Sequence, residues 1–146
     1  MMIDEMTQDE CRELLGRGMI ARLGCCLEDQ PYVVPVYFAY ESDFIYVLST
    51  VGQKIEWMRA NPNVCVQVDD VAAQSEWASV IANGQYQELT EPQYSDEVAT
   101  ARKLLEKRHH WWKNALGERQ IKSGDNLIAP LFFRIKVNSM SGLRAK

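Results

Sequence analysis

The sequence predicts a mainly β (α+β) fold, a small closed or nearly closed antiparallel barrel of six strands with three helices outside it. Three observations carry that expectation. Six segments are rich in aromatic and β-branched residues, which suit a pleated, half-buried surface. They are joined mainly by short turns, which argues against a doubly wound βαβ sheet. Three other segments carry apolar residues at the three-and-four spacing of a helix. The 146 residues are expected to form one domain, 1–146, long enough to bury a core without disulfides.

Thr7-Gln8-Asp9-Glu10 opens the first helix as a capping box, Thr7 at the N-cap and Glu10 three residues on. Cys11, Leu14 and Leu15 form its apolar face, and Gly16 and Gly18 are expected to stop it. Residues 19–27 read as the first strand and Glu28-Asp29-Gln30-Pro31 as a turn. Residues 32–40, YVVPVYFAY, read as the second strand. Pro35 inside it cannot donate to a ladder, so it marks an edge, a bulge or a place where something other than a strand approaches. Glu41-Ser42-Asp43 is a tight turn into the third strand, 44–48. Residues 54–60 form a short helix with Ile55 and Met58 three apart, ended by Asn61-Pro62-Asn63. The fourth strand is 64–68, followed by a loop over 69–75, and the fifth is 76–89. Residues 91–110 make the longest helical candidate, with Val98, Ala101, Leu104 and Leu105 on one face. A polar loop over 117–126 precedes the sixth strand, 131–137, and Ser139-Met140-Ser141-Gly142 turns into a short basic tail.

Composition narrows the function. The net charge is −4, against non-specific nucleic-acid binding, which needs a basic surface. The longest strongly apolar run is too short to cross a bilayer, so no membrane partner is expected. The N-terminal MMIDEMTQDE is acidic and lacks the features of a signal peptide, and a cytoplasmic protein is expected. Cys11, Cys25, Cys26 and Cys65 show no C-x-x-C spacing. They read as small buried hydrophobes with free thiols, not as a zinc site. His109 and His110 are adjacent, not at the i, i+4 spacing of a helical metal pair, so no metal site is expected. Gly16-x-Gly18-x-x-Ala21 matches the dinucleotide fingerprint as a bare pattern, but it follows a helix and opens a strand, the reverse of what that fingerprint needs. P-loop, nucleophile-elbow, zincin and EF-hand motifs are all missing. Acid/base side chains are few and the catalytic residues are unknown; a cofactor can supply the chemistry instead.

That leaves the turn after the third strand. Ser49, Thr50, Gly52, Gln53 and Lys54 place two hydroxyls, backbone N–H groups near a helix start and one lysine within six residues. The set suits an anion, most plausibly a phosphate. Each charge-assisted hydrogen bond there contributes on the order of 1.5–3 kcal/mol. A plain strand-to-helix turn with a solvated lysine has the same spacing.

The pieces YVVPVYFAY, IYVLSTVGQK, MRANPNVCVQVD, WASVIANGQYQEL and FFRIKVNSMSG occur in that order. Together they resemble the pyridoxamine 5'-phosphate oxidase-like, FMN-binding split-barrel family, and most of all its nitroimidazole-resistance and flavin-nucleotide-binding branch. The resemblance covers about nine tenths of the chain. It implies a six-stranded antiparallel split β-barrel with flanking helices, and a homodimer with FMN at the subunit interface. Pro35, Val36 and Tyr37 then lie along the flavin, largely through backbone groups. Leu48, Ser49 and Thr50 approach the ribityl phosphate, and Gln53 and Lys54 match the basic pair that holds it, only the lysine keeping its charge. Ser79 matches a polar residue that reaches the flavin, across the dimer in this reading.

The resemblance implies a flavoprotein oxidoreductase working on a small-molecule substrate or a nicotinamide donor, with Tyr37 and Trp112 on the substrate side. Two departures set the chain apart. Its C-terminus, FFRIKVNSMSGLRAK, lacks the arginine- and histidine-containing substrate motif of the true oxidases, so pyridoxamine phosphate oxidation is not expected. Leu48 stands about where nitroimidazole-resistance members often carry a histidine. Some relatives bind haem or the deazaflavin F420, which are the alternative cofactors; a non-catalytic flavin- or haem-binding module is the alternative function. Trp57, Trp77, Trp111 and Trp112 are the aromatics expected to need cover from a second copy.

Overall fold

The computed structural model of the chain describes residues 1–108 and 130–146. The elements in order are β1 (Ile3–Glu5), α1 (Gln8–Arg17), β2 (Ile20–Leu27), β3 (Gln30–Tyr37), β4 (Ala39–Glu41), β5 (Phe44–Thr50), α2 (Gln53–Ala60), β6 (Asn63–Ala73), β7 (Glu76–Leu89), α3 (Ser95–Glu106) and β8 (Pro130–Ala145). The strands form one sheet in the order β3-β2-β6-β7-β8-β5-β4, with β1 on β8, and every pairing is antiparallel. β3 and β5 approach each other without a ladder between them among the described residues. The sheet therefore curls into a split barrel, the mainly β, α+β fold that the sequence predicts.

Strand alternation builds the core. Ala21, Leu23 and Cys25 of β2, Val64, Val66 and Val68 of β6, and Val80 and Ala82 of β7 point inward at period two. They meet Phe133 and Ile135 of β8, Leu14 and Leu15 of α1, and Ile55 and Met58 of α2 in one cluster. A second cluster lies under α3, where Val98, Ala101 and Leu105 cover Ala39, Tyr46, Leu89 and Phe132. β5 thus has apolar partners on both faces.

Eight strands are present among the described residues where six are expected. Residues 32–40 are two strands, not one. Fully buried Phe38 is the break, its N–H bonded to the Met19 carbonyl at 3.2 Å; β3 before it pairs with β2, and β4 after it pairs with β5. Pro35 lies on terminal strand β3 of the path, one of the three positions its chemistry allows. The 69–75 loop is mostly strand, because the β6–β7 ladder continues through Asp69↔Ser79 and Val71↔Trp77. Ser139 to Gly142 is not a turn. Ser139 pairs with Asn83 and Gly142 with Val80, and Gly142 is there because a Cβ would meet Met6 Sδ at 2.7 Å. β1 then adds to the same strand, Glu5 facing Leu143.

The helices differ at their ends. Thr7 and Glu10 form the expected capping box. α1 runs through Gly16, and only Gly18 caps it, donating its N–H to the Leu14 carbonyl. α3 covers Ser95–Glu106, shorter than 91–110. The expected loop over 117–126 and residues His109, His110, Trp111 and Trp112 lie outside the described residues. All four cysteines are free thiols; Cys11 and Cys25 are buried as expected, but Cys26 is only half-buried and Cys65 is exposed, because Cys65 lies on the outward face of β6 between the inward Val64 and Val66. No helix among the described residues is long and apolar enough to cross a membrane.

Candidate functional site

β5 delivers Ser49 and Thr50 into the turn. Their neighbours across the ladder are Leu131 and Pro130 of β8. Because β5 is covered on both faces, the two hydroxyl residues are only 7% and 6% exposed. Ser49 Oγ donates to the Thr50 carbonyl at 3.2 Å, which leaves its lone pairs as acceptors and fixes its direction. Gly52 is the N-cap of α2 in extended conformation, and no side chain caps the helix. The first-turn N–H groups of a helix have no intrahelical acceptor and carry the positive end of its dipole. Gln53 and half-buried Lys54 open that turn. The two hydroxyl residues, an uncapped helix start and a lysine thus lie within six residues of one another, with Ser49 and Thr50 on opposite faces of β5; the helix-start N–H groups and the lysine are groups that suit a phosphate.

The other end of α2 is fastened. Arg59 donates to both Glu88 carboxylate oxygens, Nε at 2.7 Å and Nη2 at 3.1 Å. Tyr86 Oη donates to the same carboxylate at 2.7 Å. Asn61 Nδ2 donates to the Cys26 carbonyl at 2.9 Å, and the Tyr86 N–H donates to the Pro62 carbonyl at 2.8 Å. The Arg59 hydrogen bonds, aided by Tyr86, hold the Glu88 carboxyl below its usual range against the opposing effect of burial. Burial and the carboxylate together push the Tyr86 phenol well up. Trp57 stacks obliquely on Tyr32, ring centroids 5.7 Å apart, so this tryptophan finds cover within its own chain.

Pro35 and Tyr37 face away from the barrel on β3, while Val36 points into the core. Register extends that outward face across four more strands. One row reads Pro35↔Arg22↔Gln67↔Ile81↔Ser141, and the next reads Val33↔Gly24↔Cys65↔Asn83↔Ser139. Ser79 lies on the same face, its Oγ accepting from Gln67 Nε2 at 3.0 Å. Gln67 also reaches Asp69, which pairs with Arg22 at 3.3 Å. Ile20, Val33, Tyr37, Val71, Ile81 and Leu143 are exposed around this polar chain.

The expected site residues among those described therefore fall in four places. Ser49, Thr50, Gln53 and Lys54 follow one another from the end of β5 into the start of α2. Pro35, Tyr37 and Ser79 share the outward sheet face. Leu48 packs in the second cluster under α3, and Val36 lies in the core, so neither side chain is offered to a ligand. Ser79 lines a cavity of about 530 Å³ with Met6, Trp77, Ile81 and Leu143, and no residue of the α2 turn borders it. Trp112 lies outside the described residues. Sequence reasoning missed a second concavity of about 510 Å³ over Gly24, Cys26, Cys65 and Asn83. A glycine inside a strand pattern is the signal for it: a Cβ on Gly24 would meet Cys65 Sγ at 2.9 Å.

Residues 7–144 match the pyridoxamine 5'-phosphate oxidase family. An uncharacterized protein of Rhizobium meliloti (strain 1021) is 37% identical over 146 residues, spanning 99% of this chain and 97% of that protein. A FAD-binding protein of Mesorhizobium loti, known from its crystal structure, is 35% identical with a TM-score of 0.81, covering 100% of this chain and 98% of that one. A Bacteroides thetaiotaomicron protein provisionally assigned to 5-nitroimidazole antibiotic resistance shares the fold, with a TM-score of 0.69 at 19% identity over 99% of this chain and 89% of that one.

Proposed function

This chain belongs to the pyridoxamine 5'-phosphate oxidase family, and from that premise we propose that it is an FMN-binding flavoprotein, a cytoplasmic oxidoreductase acting on a small molecule. The observation that carries the reading is the α2 turn: buried Ser49 and Thr50 lead directly into a helix start that no side chain caps, with Lys54 in its first turn. One such turn suits one phosphate, which favours FMN; the FAD named for the Mesorhizobium loti protein would need room for a second phosphate and an adenosine. Bound flavin supplies hydride and electron transfer. The protein's part is to hold the phosphate at Thr50, Gln53 and Lys54, with Ser49 joining when its hydroxyl turns from the Thr50 carbonyl to the anion, and to lay the ring along the Pro35, Val36 and Tyr37 backbone. Leu48 and Val36 take part only through their backbone, since their side chains are committed to packing.

The proposal includes a homodimer formed through the outward sheet face. Exposed Ile20, Tyr37, Ile81 and Leu143 give that face the apolar character of an interface, and Ser79 would reach the flavin from the partner subunit. The four free thiols suit a reducing compartment.

The visible spectrum of freshly purified protein tests the cofactor: two flavin bands are expected, and the flavin released on denaturation should be FMN. A colourless protein that takes up no added FMN sinks the reading, a sharp Soret band replaces it with haem, and released FAD or F420 corrects the cofactor. Turnover of NADH or NADPH with an electron acceptor tests the activity. Sedimentation as a monomer at micromolar concentration would remove the dimer.

A further inference from the structure

We propose that Arg59, Glu88 and Tyr86 form a positioning clamp that sets the phosphate affinity of the site at the opposite end of α2. The inference rests on the reading of that turn as a phosphate site. It goes further by assigning a role to three residues that lie outside the turn.

α2 has only eight residues, Gln53–Ala60, and its inward face is held by Ile55 and Met58, both fully buried. Two apolar contacts one turn apart fix the depth of a short helix well. They fix its rotation and its slide along the axis poorly, because dispersion contacts are non-directional. The N-terminal end has no side-chain cap to supply direction.

Directional bonds occur at the other end. The guanidinium of Arg59 meets the Glu88 carboxylate with two N–H donors at 2.7 and 3.1 Å. That fork geometry fixes orientation as well as distance. Tyr86 Oη adds a third donor to the same carboxylate, and its own ring is held against Phe133, centroids 5.2 Å apart. Glu88 and Tyr86 belong to β7, the strand with the longest ladders on both sides. The clamp therefore ties α2 to the most extensively paired strand of the sheet. Asn61, bonded to the Cys26 carbonyl, ties the following turn to β2. Donors at the helix start must converge on one phosphate within a few tenths of an ångström, and a small rotation about the clamp displaces them all together.

The test compares FMN with riboflavin, which lacks the phosphate, on wild type, Glu88→Gln, Arg59→Ala and the charge-swapped double variant Arg59→Glu/Glu88→Arg. Flavin fluorescence titration gives both affinities. Arg17→Ala, which removes the Arg17–Asp70 surface pair, serves as the control for loss of an ion pair elsewhere. The clamp is supported if Glu88→Gln and Arg59→Ala each weaken FMN about tenfold with riboflavin affinity unchanged, and the double variant recovers part of the loss. Equal weakening of both ligands would mean general loosening of the fold and overturns the proposal, as does unchanged FMN affinity in both single variants. Wild-type protein that binds neither flavin overturns the phosphate-site reading itself, a result distinct from the other two.

Discussion

Gly84 of β7 faces the backbone of Lys136 on β8 so closely that a Cβ at Gly84 would lie 2.2 Å from the Lys136 carbonyl oxygen. The register slips here, from Asn83↔Ser139 to Gly84↔Val137, leaving Asn138 as an extra residue on β8. A bulge bends its strand and sharpens the local twist, which helps the two longest strands wrap the barrel. The obstacle is backbone, not the movable end of a side chain, so Gly84→Ala is expected to destabilise by about 2–3 kcal/mol. Gly16→Ala is the contrast: nothing lies within 4 Å of the added methyl inside α1, and a gain of about 0.5–1 kcal/mol is expected. Denaturant midpoints of the two variants check both signs.

Lys54→Ala should lower FMN affinity roughly tenfold, about 1.4 kcal/mol, and leave riboflavin binding unaltered. The lysine is the one cation in the Ser49–Lys54 segment, and a charge-assisted bond to phosphate is of that order. Titration of apoprotein by flavin fluorescence measures it, and unchanged FMN affinity removes Lys54 from the site.

The Glu88 carboxyl is held below the ordinary glutamate value of 4.5 by Arg59 and Tyr86. A depressed carboxyl pKa stabilises the fold above the unfolded value and loses that contribution as the pH falls through the folded one. Glu88→Gln should therefore cost about 1 kcal/mol at neutral pH, the modest figure suited to a partly exposed pair. The gap between variant and wild type should close below pH 4.5. Urea unfolding at a series of pH values measures that gap, and one that persists unchanged at the acid end would contradict the assignment.

Arg108 caps the end of α1 from α3's side of the molecule. Its two terminal nitrogens donate to the Gly16 and Gly18 carbonyls, and its guanidinium lies 5.6 Å from the Phe38 ring centroid. Arg108→Ala should destabilise by about 2 kcal/mol, within the range for hydrogen bonds made by a charged group. Arg108→Lys should rescue little of it, since an ammonium cannot reproduce the planar fork. Thermal unfolding of both variants tests this, and full rescue by lysine would show that charge alone suffices.

The sequence by itself determined the features written within a few residues of one another. The Thr7–Glu10 capping box, the 76–89 strand, the first strand at 19–27 and the Ser49–Lys54 turn are all local, and each is found where its residues stand. The missing N–H of Pro35 limits it to an edge, a bulge or the approach of something other than a strand, and the sheet order puts it on a terminal strand. What only the tertiary structure decided are the features in which distant residues choose each other. Residues 139–145 read as turn and tail because Ser, Gly and Arg are poor strand formers, yet fourteen-residue β7 offers them a complete ladder and pairing overrides propensity. The three-residue strands β1 and β4 are too short to show a period. Leu48 looks like the last step toward a ligand, but α3 packs over it. The distance in sequence between Arg59 and Glu88 hides their ion pair for the same reason: a hydrogen bond between side chains 29 residues apart leaves no pattern in a single chain.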